Sequence, residues 1–169
     1  LLADVDTRML TRRIRLFGVM KGLMTTEELS AEDIAAKLAE PLIRDAVLRV
    51  SPRDTRVIPG SGFRIVLVDF GAKKGIVRAL VERNCEVVVV PHDASAEHIL
   101  SQQPDGVVLS NGPGDPRDVG CALPMIRILL DEKVPLFGIC LGHQLLALAS
   151  GAKTRKMLFG HRGGNHPVK

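Results

Sequence analysis

The sequence predicts an α/β fold: an open, mostly parallel sheet flanked by helices, with a separate helical segment ahead of it. Three observations carry this reading. β-Branched and apolar runs at 65–68, 87–90, 107–109 and 135–139 alternate with stretches of helix-like apolar spacing. The connections between them are short, the mark of parallel strands whose helices cover both faces. The composition is that of a globular chain, with 46% apolar residues in a length of 169.

In chain order, residues 1–50 read as helical and charged. Asp6 or Thr7 is placed to cap a helix in which Met9, Leu10, Ile14 and Phe17 recur at helical spacing, ended by Gly18. Ser30-Ala31-Glu32-Asp33 has the spacing of a capping box, with Asp where Glu or Gln is usual, ahead of Ile34, Leu38 and Leu42. Residues 51–62 hold two prolines and two of the glycines with no apolar period, and read as a linker. Ile65-Val66-Leu67-Val68 then has the character of a strand buried on both faces. A helix is expected from about Lys73 to Arg83, a strand over Val87–Val90 and a short helix near Ala96–Gln102. Val107–Leu109 is the next strand. A longer helix is expected over Val119–Asp131, a strand from Pro135 to Ile139 and a last helix over Gly142–Ala149. Ligand-binding loops of such sheets lie at the carboxyl ends of the strands. Asp69–Gly71, Pro91–Asp93, Ser110–Pro116 and Cys140–Gly142 should therefore share one edge.

Charge and composition exclude several classes. The formal charge of +4 is too small to argue for nucleic acid. The scarcity of aromatics, five Phe with no Tyr or Trp, argues against a single-strand binder, which stacks bases on aromatic faces. Arg12-Arg13-Ile14-Arg15, like Lys153, Arg155 and Lys156, reads as a solvated or subunit-facing surface. No apolar run approaches the ~18–20 residues of a membrane span. Three widely spaced cysteines without a Cys-x-x-Cys pair fit neither a disulfide framework nor structural zinc, so a reducing cytoplasm is the expected setting. No leader pattern opens the chain. It begins at Leu1 and stops at Lys169 as a fragment would.

Gly138-Ile139-Cys140-Leu141-Gly142 is the sharpest chemical feature. A nucleophile with glycine two residues to either side, between a buried strand and a helix, is the nucleophile-elbow pattern with Cys in place of Ser. The N-terminus of the following helix would favour the thiolate, and backbone N–H groups just after the nucleophile can hold an oxyanion. A buried core cysteine is the competing reading, and the glycine positions weigh against it. Ser110-Asn111-Gly112-Pro113-Gly114-Asp115-Pro116 ends the preceding strand. It reads either as a rigid loop supplying a second oxyanion donor and a substrate wall, or as a plain strand-to-helix turn. Gly112-x-Gly114 lacks the third glycine of a dinucleotide fingerprint.

The histidines offer no clear base. His143 lies three residues past Cys140 and need not face the sulfur, while His92 and His98 have no chemical context. His161 and His166 are loosely spaced like metal ligands but lack a third, so no metal site is expected. Cys85 and Cys121 are expected to be inert.

Gly138-Ile139-Cys140-Leu141-Gly142-His143-Gln144-Leu145-Leu146, with the loop Ser110–Pro116 upstream, resembles the class I (triad) glutamine amidotransferases. Asp6-Thr7-Arg8-x-Leu10-Thr11-Arg12, Asp69-Phe70-Gly71-x-Lys73, Gly151-Ala152-Lys153-Thr154 and Phe159–Val168 are similar to the small-chain family of glutamine-hydrolysing carbamoyl-phosphate synthases.

The resemblance implies a flavodoxin-like sheet and a division into three parts. Residues 1–50 would be the C-terminal part of a small-chain N-terminal domain, 51–62 a linker, and 63–169 the N-terminal part of the amidotransferase domain. It implies hydrolysis of glutamine, with ammonia passed to a large chain that uses ATP, magnesium and bicarbonate to make carbamoyl phosphate for arginine and pyrimidine synthesis. Cys140 would be the nucleophile. Gly112 and Leu141 would supply oxyanion N–H groups, and Gly114 and Gln144 would line the glutamine pocket. No cofactor is implied in this chain, and neither nucleic acid nor membrane is an expected partner. The family's catalytic His and Glu sit in a His-Pro-Glu motif, whereas His166-Pro167 is followed here by Val168. The chain alone is therefore expected to turn over little glutamine. Two other readings remain: the glutaminase unit of a different synthase, and a non-catalytic module with the same fold.

Overall fold

The fold is that of a computed structural model, which describes residues 4–158 and 160. It divides into two compact units, the described residues of Leu1–Leu42 with those of Arg155–Lys169, and Ile43–Thr154. The sequence put its linker at 51–62, whereas residues 43–50 belong with the sheet.

In the first unit, α1 (Thr7–Phe17) is capped by the Asp6 carboxylate, which accepts from Met9 N–H at 2.8 Å, and ends at Gly18 with φ 83°. A Cβ at Gly18 would lie 2.9 Å from the Leu158 side chain, and Val19 N–H donates to Leu158 C=O at 3.0 Å. α2 (Ala31–Ala39) starts as expected at Ser30, whose hydroxyl oxygen accepts from Asp33 N–H and donates to the Asp33 carboxylate at 2.6 Å. The stripe Met9, Leu10 and Phe17 is exposed, and α1 has no buried residue.

The second unit opens with the short helix α3 (Ala46–Val50), whose Val47 joins the core. It continues with β1 (Arg56–Ile58), β2 (Arg64–Asp69), α4 (Lys74–Val81), β3 (Glu86–Pro91), α5 (Ala96–Ser101), β4 (Gly106–Leu109), α6 (Leu123–Asp131), β5 (Leu136–Gly138) and α7 (Leu141–Ala149). The sheet order is β1-β3-β2-β4-β5, with β1 antiparallel to β3 and the other pairings parallel. β2 is central, and the chain reverses direction across the sheet between β2 and β4, where ligands of such folds bind.

Period-two alternation sorts the side chains of this doubly buried sheet. Val66, Val68, Val88, Val90, Val107 and Leu109 face one layer with Ile99, Ile126, Leu129, Leu141 and Leu145. Leu67, Val87, Val89 and Val108 face the other, where Ile76, Val77 and Leu80 of α4 pack. This second face is more thinly covered. Phe63 and Phe137 remain largely exposed there, beside an open cleft of about 440 Å³ that Ile65, Val108 and Pro135 also line.

Two elements differ from expectation. The linker contains β1, a three-residue edge strand of which only Ile58 is half-buried, so it leaves no apolar run to read. The helix expected over Val119–Asp131 is instead a 3-10 helix, Pro116–Ala122, followed by α6. Pro124 stands in the first turn of α6. It lacks an N–H and clashes with the carbonyl four residues back, so an α-helix can start there but not run through it. Val119 accordingly leaves helical geometry at φ −113°, ψ 27°.

Candidate active site

The carboxyl ends of β2, β4 and β5 converge on the turn that carries Cys140. Cys140 stands at φ 52°, ψ −106°, immediately before α7. A positive φ in a non-glycine residue costs on the order of 1–3 kcal/mol. The neighbours hold the turn in place by leaving it no room. A Cβ at Gly138 would lie 2.6 Å from His143 N, and one at Gly142 would overlap the carbonyl oxygen of Leu109. Only glycine fits at either place. The Cys140 side chain is exposed, while Leu141 and Gly142 are buried beneath it.

The loop after β4 is fixed differently. Ser110 is fully buried, and its hydroxyl oxygen accepts from Phe70 N–H at 2.9 Å while its proton goes to Asn111 C=O at 2.7 Å. Asn111 ties the loop to the one after β2: its Nδ2 donates to Gly71 C=O at 3.1 Å, and its Oδ1 accepts from Lys73 N–H at 3.0 Å. That second loop is itself an Asx-type turn, in which Asp69 Oδ1 accepts from Gly71 and Ala72 N–H at 2.8 and 2.6 Å. The loop after β4 and the elbow meet through Ser110 C=O, which accepts from Gly142 N–H at 3.0 Å.

These ties bring Gly112 against Leu141. A Cβ at Gly112 would lie 2.6 Å from the Leu141 side chain and 2.5 Å from Phe70 C=O. Among the described residues, neither Gly112 N–H nor Leu141 N–H donates to a protein acceptor. Backbone N–H groups left unspent in this way beside an exposed thiol can meet a negative charge that develops nearby. Gly114, at φ 87°, lies further along the same loop; among the described residues only Ala46 Cβ comes near its missing side chain, at 3.9 Å. Gln144 is exposed in the first turn of α7, its N–H on Cys140 C=O at 3.1 Å.

The other candidates lie apart from this arrangement. His143 is exposed on α7, and among the described residues no hydrogen bond joins a histidine or carboxylate to Cys140. His98 is on α5, where its Nε2 meets Thr55 Oγ1 at 3.0 Å. His92 is buried after β3, its N–H on Ser51 Oγ at 3.0 Å. Cys85 is buried between α4 and β3, and Cys121 is exposed on the 3-10 helix. His161, His166 and the Phe159–Val168 motif, Gly160 excepted, fall outside the described residues. Sequence reasoning quoted Ser110 and Asn111 without giving either a task. Their partners are 40 and 38 residues away in the chain, and only the order of residues after β4 hinted at them.

An open, mostly parallel sheet with a cysteine turn on its carboxyl edge defines an α/β protein with an exposed thiol at a strand–helix junction. The chain belongs to the class I glutamine amidotransferases: the description "Glutamine amidotransferase class-I" matches residues 66–169. Its relatives are more particular. It is 58% identical over 169 residues to the carbamoyl phosphate synthase small chain of Bacillus caldolyticus, an alignment that covers 99% of this chain and 46% of the relative. It is 57% identical over 169 residues to the carbamoyl phosphate synthase pyrimidine-specific small chain of Halalkalibacterium halodurans, with the same coverage of 99% and 46%. A solved structure of a GMP synthase protein from Thermoplasma acidophilum is 29% identical at a TM-score of 0.48, covering 55% of this chain and 48% of that one. The chain spans about half the length of the curated relatives it matches.

Proposed function

We propose that this chain is the nucleophile-bearing part of a carbamoyl-phosphate synthase small chain, which hydrolyses glutamine and passes ammonia to a large synthetase chain. The observation that carries the reading is Cys140, held at φ 52° at the head of α7 beside the free N–H groups of Gly112 and Leu141. Cys140 Sγ attacks the side-chain carbonyl carbon of glutamine, and the negative charge that develops on oxygen is met by those two N–H groups. Collapse of the tetrahedral intermediate breaks the C–N bond. The amide nitrogen leaves as ammonia with the proton lost by the thiol, and a γ-glutamyl thioester remains. Water then attacks the thioester through a second oxyanion, giving glutamate and free thiol.

Gly114 and Gln144 line the place where glutamine's amino-acid end sits. The proton carrier is the His–Glu pair of the family's His-Pro-Glu motif, outside residues 1–169. ATP, magnesium and bicarbonate belong to the large chain. The carbamoyl phosphate serves pyrimidine and arginine synthesis in the cytoplasm. The relatives' names favour this partner over the synthases that other amidotransferases feed.

The test is Cys140→Ser in the full-length small chain assembled with its large chain. Glutamine-dependent carbamoyl phosphate synthesis should fall at least about a thousandfold, while synthesis from added ammonia is kept. Survival of the glutamine-dependent activity would remove Cys140 as nucleophile. Parallel loss of both activities would mean the partner is wrongly assigned.

A further inference from the structure

We infer that Ser110 is a positioning residue for the oxyanion hole: its hydroxyl sets the orientation of the Asn111–Gly112 peptide and so aims Gly112 N–H at the reacting carbonyl. The inference rests on the proposed glutaminase reading and adds a residue to it.

Peptide geometry makes the link. The chain has no cis peptide among its described residues, so the Asn111–Gly112 unit is trans and planar, with its C=O and N–H pointing in opposite directions. Whatever holds the carbonyl therefore aims the N–H. Asn111 C=O is held by Ser110 Oγ at 2.7 Å, and Gly112 N–H on the opposite side is left without a protein acceptor. A peptide followed by glycine is the kind most easily turned over, since glycine accepts either sense of φ. Turned over, it would present the Asn111 carbonyl oxygen to the place where negative charge develops, replacing attraction by repulsion.

Ser110 is suited to prevent this. A hydroxyl has one proton and two lone pairs. Here the incoming Phe70 N–H at 2.9 Å occupies a lone pair and directs the single proton to Asn111 C=O. The residue is fully buried, so water does not reach its hydroxyl. Its backbone is pinned as well, by Ser110 N–H on Val68 C=O at 3.1 Å and Gly142 N–H on Ser110 C=O at 3.0 Å. One residue thus refers Gly112 N–H to the same frame as the Cys140 turn.

The experiment uses the full-length small chain with its large chain and the variant Ser110→Ala. Four quantities are read: kcat and KM for glutamine, ammonia-dependent synthesis, and the rate at which iodoacetamide alkylates Cys140. Alkylation is a displacement at carbon that forms no oxyanion, so it reports on the thiol and its turn alone. Glutamine kcat should drop about tenfold to a hundredfold, somewhat short of the loss on deleting an oxyanion donor outright. KM, ammonia-dependent synthesis and the alkylation rate should each stay within about threefold of the parent, a window far narrower than the expected drop. Unchanged kcat would overturn the inference. So would a fall in kcat matched by the alkylation rate, which would make Ser110 only a structural support of the elbow. Should Ser110→Ala fail to fold, Ser110→Cys, close in shape with a weak donor, is read against the same outcomes. The Cys140→Ser variant measured alongside separates the two levels. If it keeps glutamine-dependent activity, the glutaminase reading fails; if it loses that activity while Ser110→Ala does not, only the role of Ser110 falls.

Discussion

The turn after β5 and the loop after β4 reach the same sheet edge by opposite means. The turn is held by exclusion: glycines at 138 and 142 let backbone pass where any side chain would collide, and Cys140 takes up the strain. The loop is held by attachment, with the side chains of Ser110 and Asn111 spending their hydrogen-bonding capacity on Phe70, Gly71, Lys73 and the loop itself. Steric confinement gives an exposed thiol at a turn where, among the described residues, no side chain of 138–142 is tied by a hydrogen bond. Hydrogen bonding gives a loop whose orientation depends on particular atoms. The thiol of Cys140 and the loop that carries Gly112 are thus fixed by different means.

Substitutions that exchange the two means should show the contrast. The largest effect is expected for Gly142→Ala, whose Cβ would overlap the Leu109 carbonyl where backbone on both sides is committed. Unfolding by urea should show a loss of about 3 kcal/mol, at the upper end for overpacking a buried position. A loss below about 1 kcal/mol would mean the turn can shift and is not held by exclusion. Asn111→Ala removes two hydrogen bonds from the loop and should cost about 1–2 kcal/mol in the same measurement. No measurable cost would show that Ser110 alone holds the loop. The smallest change has the opposite sign. Cys140→Gly relieves the positive φ at some cost in unfolded-chain entropy, so stability should rise by roughly 1 kcal/mol. A lower melting temperature would mean the φ of 52° carries no strain.

The same contrast explains what could be read in the sequence. Confinement leaves a local mark, since glycine must stand two residues either side of the cysteine, and the elbow was legible at 138–142. Attachment leaves little, because Ser110 and Asn111 meet partners about 40 residues upstream whose proximity exists only once β2 and β4 are paired. The strands β2 to β4 were legible because burial on both faces demands unbroken apolar runs such as Val87–Val90. β1 was not, since an edge strand with one half-buried residue makes no such demand. The second half of the 3-10 helix is not separable from α6 in the sequence, since Val119, Ala122 and Ile126 keep a helical period across Pro124. The roles expected of Gly114 and Gln144 come from the resemblance alone, as neither makes a contact that its neighbours in sequence announce.

Ser110 has a consequence for the native-state fluctuations of this edge. Local openings release amides in cooperative groups rather than singly. One buried serine receives Phe70 N–H on its hydroxyl and Gly142 N–H on its carbonyl. An excursion that frees Ser110 therefore releases Phe70 N–H and removes one of the two acceptors of Gly142 N–H, Ile139 C=O at 3.0 Å being the other. The loop after β4 and the turn at Cys140 are built by different forces, yet an opening at Ser110 loosens both.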